Sequence, residues 1–298
     1  MNLHVINNKQ NEDRMLRYQY ASRTLYNRAE TLNDFVWVCC IISWLTILLP
    51  DSPTWNTFFI AAPFFMDIVA IILNWRMTAN VSSASLLRKY FDSHVFGLNR
   101  NQFTLSDVQK LEEISIKVVK HFPEKSKEQM ANTGRDNPPG VLNWYEFSQQ
   151  LSEQDAVYEC QKQNCWWNKK ITRIRLIRSG LWLLVLVPLT IFLFVETDAG
   201  IILVIFSSCG LITKCIERLV VNVSYYILSI QIDGALDVLA NSRSDENILN
   251  LQAKIDMRRA MPVLERNRIH RRHAKEYSEL YHETTAFQKI AEESDLIK

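Results

Sequence analysis

The chain has 298 residues, of which 48% are hydrophobic and 22% are charged, and its formal net charge is +2. These averages match those of soluble proteins, but the charges are unevenly placed. All 34 Lys and Arg residues lie outside two windows, residues 32–75 and 179–213. This segregation excludes a uniformly polar globular surface.

Glycine and proline are scarce, with seven and eight residues in the whole chain. This composition argues against β-rich repeat folds and long flexible linkers. The six cysteines form no CxxC pair, so we expect neither a disulfide framework nor a metal site. The polar N-terminal segment MNLHVINNKQNEDR lacks the apolar core that a cleavable secretory signal requires.

Each window contains two apolar runs that are separated by a short polar break. The runs cover residues 35–49, 54–75, 181–195 and 199–213. A straight span needs about 20 residues, so the three shorter runs alone are also compatible with buried soluble helices. Lys and Arg cluster before and after each window, and neither break contains one. We therefore predict an all-α integral membrane protein with four transmembrane helices in two hairpins.

The positive-inside rule places both termini and the middle segment of this protein in the cytoplasm. The predicted organisation follows the two windows along the chain. The parts are a cytoplasmic N-terminal helix (1–31), hairpin 1 (32–75), a cytoplasmic helical region (76–178), hairpin 2 (179–213) and a cytoplasmic C-terminal helical region (214–298).

The second span carries polar residues along one helical face. Asn56, Pro63, Asp67 and Asn74 are separated by 7, 4 and 7 residues, which stacks them on that face. A charged group in a span indicates a functional site, here a pore lining or a polar seam between subunits. We predict Asn56, Asp67 and Asn74 as pore-lining residues. The alternative is a protonated Asp67 that bonds to a neighbouring helix for structural reasons alone.

The segments outside the windows are typical of helices. Ser106 with Gln109 predicts a capping box that begins a helix ending near His121, and residues 132–140 predict a loop. From Ser152 onward, a long helix is expected to lead into the third span. It carries a heptad pattern, which favours self-association or pairing within the chain. The pattern consists of Val157, Cys160, Asn164, Trp167, Ile171 and Ile174.

The fourth apolar run contains a patch of small residues, 207–210, that is suited to close helix packing. After it, an amphipathic helix is expected to continue through Ile216, Val223 and Ile230. Further on, basic residues concentrate in the tail. We predict an anion or nucleotide site there, and contact with anionic lipid or a solvated face are the alternatives. The predicted residues are Arg266, Arg268, Arg271 and Arg272.

No sequence motif for a common catalytic or nucleotide-hydrolysing site occurs in the chain. The strings GxxxxGK[ST], GxGxxG, HExxH and GxSxG are all absent, so we expect neither an enzyme nor a cofactor. DNA is not expected as a partner either, because the basic residues lie mostly beside the apolar windows.

Several segments, taken in order, resemble the SMODS-associated four-transmembrane effector family. They are NNKQNEDRMLRYQYASRTLYNRAE, LLRKYFDSHVFGLN, NWYEF, ECQKQNCWWNKKITRIR and LQAKIDMRRAMP. The resemblance implies a pore-forming effector of bacterial antiphage systems that is triggered by a cyclic oligonucleotide. It also implies a homo-oligomer in the bacterial inner membrane, with the lipid bilayer as its target.

Two interpretations with different functions follow from these observations. The first is an oligomeric effector whose helical cytoplasmic part senses a nucleotide and whose hairpins open or disrupt the membrane. The second is a non-conducting membrane-anchored scaffold that recruits a soluble partner through residues 90–150.

Overall fold

The computed structural model describes residues 3–48, 56–98, 102–145, 151–165, 168–196 and 201–264, and its elements among these residues are helices. Side chains are described for all of these except 3–4, 56–60 and 168–170. The helices are α1 (Leu3–Gln10), α2 (Asp13–Leu45, followed by a 3-10 turn at Thr46–Leu48), α3 (Asn56–Phe96), α4 (Leu105–His121), α5 (Pro123–Ala131), α6 (Glu153–Cys165), α7 (Asn168–Glu196), α8 (Ile201–Asn241) and α9 (Asp245–Ala260). The prediction of an all-α fold is therefore confirmed for the described chain.

Two of the helices are much longer than a membrane is thick. α3 and α8 each contain 41 residues, which corresponds to about 62 Å of helix. The hydrocarbon core of a bilayer is about 30 Å thick. Each of these helices therefore has room for one apolar span and a second half of similar length that continues beyond it.

Three helical stretches are long and apolar enough to cross a membrane: Asp13–Leu48, Ala61–Phe96 and Ile171–Glu196. Only 11% of the most apolar window in the third stretch is buried within the protein, as expected for a face that contacts lipid. Within the described residues, α8 begins at Ile201 and reaches three charged residues by position 218. The charges of Lys214, Glu217 and Arg218 distinguish α8 from α2, α3 and α7, which contain the three apolar stretches.

The contacts of α2 show that it runs antiparallel to α3. The Ser22 hydroxyl donates to the carbonyl of Ala84 over 2.9 Å. Further along, Ala29 belongs to the same packing cluster as Met77. The chain direction of α3 is thus opposite to that of α2, which is the arrangement predicted for the first hairpin.

A second core lies outside the apolar windows, and we call this part of the molecule the helical body. It is built from α1, α4, α5, α6 and α9, together with the adjoining parts of α2, α3 and α8. Its largest fully buried side chains include Tyr18, Tyr20 and Phe91. Val157 and Cys160 of the predicted heptad pattern are also buried in this core. The pattern therefore mediates pairing within the chain over α6, which was one of the two predicted possibilities.

The capping box of α4 begins two residues earlier than the sequence predicted. Thr104 accepts a hydrogen bond from the backbone of Asp107, and the Asp107 carboxylate accepts one from the backbone of Thr104. The prediction of Ser106 with Gln109 was wrong because an aspartate can fill the role that Glu or Gln usually has. The predicted end at His121 is correct.

Candidate functional site

The polar residues predicted on the second span face α8 within the protein. Asp67 lies against Gly210, and Asn74 is hydrogen-bonded to Lys214. Both side chains of α3 are half-buried. The backbone of Asn56 begins α3, but its side chain lies outside the described residues. We call the strip formed by Asp67, Gly210, Asn74 and Lys214 the polar seam.

Close approach of α8 to Asp67 depends on the missing side chain of Gly210. A Cβ atom added to Gly210 would lie 2.3 Å from Asp67 Oδ1, well inside contact distance. This oxygen is buried and accepts no hydrogen bond from the described residues. Leaving a buried acceptor unsatisfied costs about 1–3 kcal/mol. The seam is thus tightly packed around Asp67 Oδ1, the atom that lacks a hydrogen bond from the described residues.

Lys214 occupies the end of the seam nearer the helical body. Its Nζ atom donates to Asn74 Oδ1 over 3.1 Å and to Glu217 Oε2 over 3.1 Å. The Lys214 side chain is only 8% exposed, so this cation is held inside the bundle and links α8 to α3. In the sequence we read Lys214 only as a cation that follows the last span. Its position four residues after Gly210 already placed both on one helical face.

The other described polar contacts between the spans are hydroxyl and indole hydrogen bonds. Thr46 Oγ1 and Ser207 Oγ are 2.7 Å apart, and Ser43 Oγ donates to the carbonyl of Ser207 over 3.4 Å. Trp44 Nε1 donates to Thr190 Oγ1 over 3.0 Å, which links α2 to α7. These groups have partners, as polar groups in an apolar phase require. Asp67 Oδ1 differs from them because it has no hydrogen-bond partner among the described residues.

A buried polar cluster in the helical body is centred on Asp92, whose side chain is 1% exposed. Its carboxylate accepts hydrogen bonds from Tyr145 over 2.8 Å, Gln252 over 3.0 Å and Arg259 over 2.6 Å. The Asn164 amide donates to the Tyr145 hydroxyl over 2.8 Å. The cluster therefore ties α3, α6 and α9 to the segment before α6.

Burial and nearby charges set the protonation of this cluster. Burial lowers the pKa of Arg259, but the Asp92 carboxylate outweighs that effect and holds this pKa above its ordinary value. Burial raises the pKa of Tyr145 well above its usual range. Burial also raises the pKa of Asp256 to about 6, against the opposing effect of Arg259. Arg259 is therefore charged, Tyr145 is neutral, and Asp256 gains a proton as the pH falls through about 6.

The predicted arginine site in the tail, Arg266, Arg268, Arg271 and Arg272, lies outside the described residues. The description ends at Leu264, which is buried against α2 and α3. Asn33 and Arg218 donate hydrogen bonds to its backbone carbonyl over 3.3 Å and 2.8 Å. The chain therefore enters its basic segment from a point anchored beside α2 and α8.

No cluster of His, Cys, Asp and Glu side chains among the described residues could hold a metal ion. What the seam offers is an ionisable group and hydrogen-bonding groups within apolar helices, which is typical of membrane effectors and transporters. Residues 4–203 match the SMODS-associating 4TM effector domain. The chain belongs to this family. No curated protein and no solved structure matches the chain.

The matched range includes the α3 side of the seam but not its α8 side. It contains α1 to α7 and the first three residues of α8, and so includes both Asp67 and Asn74. Gly210, Lys214 and α9 follow the matched range. The effector is a multi-pass membrane protein by family and by its apolar helices.

Gly210→Ala tests whether the seam is packed as tightly as the structure shows. We expect it to destabilise the effector by about 1–3 kcal/mol, because the added methyl group overlaps Asp67 Oδ1. Gly180→Ala in α7 is the matched control, since a Cβ there meets nothing within 4 Å. Thermal unfolding in detergent measures both. Equal midpoints for the two variants would contradict the close contact, and Asp67→Ala should rescue Gly210→Ala.

Asp92→Ala tests the polar cluster. It should destabilise the helical body by about 3–5 kcal/mol, because Arg259 remains buried without its carboxylate partner. Asp155→Ala is the control, since its ion pair with Arg243 is about one-third exposed and should contribute at most about 1 kcal/mol. Denaturant unfolding followed by circular dichroism compares them. A loss at Asp92 no larger than that at Asp155 would show that the cluster is not a stabilising element.

Proposed function

We propose that this protein is an oligomeric effector of the bacterial inner membrane that permeabilises the membrane in antiphage defence. A cyclic oligonucleotide is the proposed trigger. The family match supports the class of membrane effector, and its name links the domain to SMODS proteins. The proposed topology has four spans in two hairpins with both termini in the cytoplasm. It is supported by the absence of Lys and Arg from residues 32–75 and 179–213.

The observation that carries the proposal is the buried Asp67 oxygen that has no partner among the described residues. In the packed state, Gly210 lies against this carboxylate, and its Oδ1 atom is buried. A movement that separates α3 from α8 and brings water to Asp67 would remove the desolvation penalty of about 1–3 kcal/mol. The unsatisfied oxygen therefore lowers the free-energy difference between the closed and the open seam. A ligand that favours the open seam has to supply only the remainder.

Two continuous helices connect the seam to the helical body. The first is α3, which continues from Asp67 to Asp92 without a break. α2 holds this part of α3 in the helical body, because Ser22 donates to the carbonyl of Ala84 and Tyr26 donates to the carbonyl of Arg259 in α9. α8 continues likewise from Gly210 to Asn241. Because a helix is stiff over this length, a displacement in the body shifts the seam. This coupling is the proposed route from signal to membrane.

The proposed oligomer is supported by an apolar stripe on α8 that the described residues leave exposed. Ile216, Val220, Val223, Ile227 and Ile230 are each between 38% and 57% exposed. Their spacings of 4, 3, 4 and 3 residues are those of a coiled-coil seam. Lys214 and Glu217 precede most of the stripe, so it lies beyond the span, where exposed apolar area is unfavourable.

A second copy of this chain is the occupant that fits the stripe best. Copies in one membrane present α8 in the same orientation, and β-branched residues fill both core positions of the heptad. Isoleucine at both positions favours three or four strands over two. The predicted arginine site in the tail remains a proposal for the nucleotide contact, because those residues lie outside the described chain.

Asp67→Asn tests the permeation path while preserving the shape of the side chain. We expect the rate of cation leak from liposomes to fall by about tenfold or more, because a carboxylate in a pore favours cations. Asn74→Asp is a useful counterpart, since it adds a carboxylate two turns along the same face. Insertion is checked by detergent extraction. Undiminished leak with Asp67→Asn would remove this residue from the mechanism, and sealed wild-type liposomes would favour the scaffold interpretation.

Ile227→Glu tests the oligomer surface. It places a charge at the centre of the stripe, so we expect the protein to dissociate to single protomers in detergent. Gln231→Glu is the control, because position 231 flanks the stripe and tolerates charge. Native mass spectrometry reports the subunit number. Unchanged assembly of Ile227→Glu would contradict the proposal. The stripe could instead be covered by residues 265–298 of the same chain. In that case the wild-type protein would be a single protomer, and protease would cleave α8 only after those residues had been removed.

A further inference from the structure

A cleft of about 430 Å³ lies between α3 and α9, at the edge of the helical body. We call it the α3–α9 cleft. Its volume falls within the range of about 300–1,000 Å³ that is typical of small-molecule sites. One wall is the face of α3 that carries Ser82 and Lys89, and the other is the face of α9 that carries Leu249 and Asp256. None of these residues belongs to the polar seam.

The α3 wall offers groups suited to a phosphate. Among the described residues that line the cleft, Lys89 is the one with a cationic side chain, and its Nζ lies 6.0 Å from the centre of the Phe103 ring. No described carboxylate lies within ion-pair distance of Lys89. A lysine ammonium with no paired carboxylate binds phosphate as a point charge. The hydroxyl of Ser82 lies two turns away on the same face, about 10 Å along the helix, and offers a separate hydrogen-bonding group to a ligand.

The α9 wall offers an acceptor that faces this cation. Asp256 Oδ1 accepts a hydrogen bond from Gln252 over 2.9 Å, which fixes the carboxylate. Its Oδ2 atom has no hydrogen-bond partner among the described residues. An oriented carboxylate oxygen accepts well from the amino groups of nucleobases. The burial that raises the pKa of Asp256 to about 6 still leaves most of it ionised at pH 7.

Apolar side chains complete the lining between these two groups. Leu86 and Leu98 line the cleft from one side, and Leu249 and Met257 line it from α9. Apolar side chains around a few polar groups are typical of small-molecule sites, and a nucleobase can pack against such side chains. A polyanion such as an inorganic polyphosphate fits poorly, because the Asp256 carboxylate lines the same cleft and repels further negative charge.

We propose that the α3–α9 cleft binds one nucleotide unit, with the phosphate on Lys89 and the base edge on Asp256. This assignment rests on the proposed function, since it gives the nucleotide trigger a site on the described chain. The cleft also lies where a ligand can act on the membrane part. Ser82 follows Asp67 by 15 residues in the same unbroken helix, a distance of about 22 Å. A ligand wedged between α3 and α9 therefore moves the helix that carries the seam.

The test measures binding of nucleotides to the full chain in detergent by isothermal titration calorimetry. The probes are GMP, AMP, inorganic phosphate, and cyclic di- and trinucleotides of adenylate and guanylate. Lys89→Gln removes the phosphate contact, and Ala253→Phe fills the cleft from α9. Lys254→Gln and Asn250→Phe are the matched controls, because both lie on α9 outside the cleft lining.

We expect the cleft variants to weaken nucleotide binding by about tenfold or more, as loss of a charge-assisted contact does, while the controls bind like wild type. Inorganic phosphate alone should bind more weakly than either mononucleotide. Nucleotide binding that survives both cleft variants overturns the cleft and leaves the nucleotide trigger standing. That result directs attention to the tail, where replacement of Arg266, Arg268, Arg271 and Arg272 by Gln should then abolish it. A wild-type protein that binds none of the probes overturns both the cleft and the proposed trigger.

Discussion

The rest of the structure depends on one constraint: a polar group in an apolar phase needs a partner within the protein. The described spans meet it with hydroxyl pairs such as Thr46 with Ser207, and with the Trp44 indole on Thr190. Lys214 meets it through Asn74 and Glu217. Asp67 Oδ1 does not meet it. A single unsatisfied acceptor costs little compared with the whole fold, but it lies where a small gain from hydration can decide between a closed and an open seam.

The length of the helices converts this local imbalance into a property of the whole molecule. α3 carries both Asp67 and Asp92, so the seam and the buried polar cluster are two ends of one element. The cluster is rigid, because Asp92 has three hydrogen-bond partners: Gln252 and Arg259 from α9, and Tyr145 from the segment before α6. The seam has only the Lys214 bonds and close packing. When force is applied to α3 from the body, the weaker end yields first, and that end is in the membrane.

Sequence reasoning predicted the helical class and the polar face of α3, because each depends on local periodicity. It missed the roles of Gly210 and Lys214, since a glycine signals close packing only when its neighbour is known. It missed Asp92 and Arg259 as well, because they are 167 positions apart and pair only through the tertiary fold. The residue that could have revealed part of the seam was Lys214, which shares the face of Gly210.

The exposed stripe and the polar seam lie on different faces of α8, and this arrangement constrains how an oligomer can open. Gly210 and Lys214 are rotated by roughly 150° around the helix from Val223 and Ile230, at 100° per residue. If copies associate through the stripe, the seam of each protomer points away from their common axis. Separation of α3 from α8 alone would then expose Asp67 to lipid, which is unfavourable for a carboxylate. A conducting path therefore requires α3 to move around α8 toward the common axis as the seam opens, so that Asp67 reaches the hydrated interior of the oligomer.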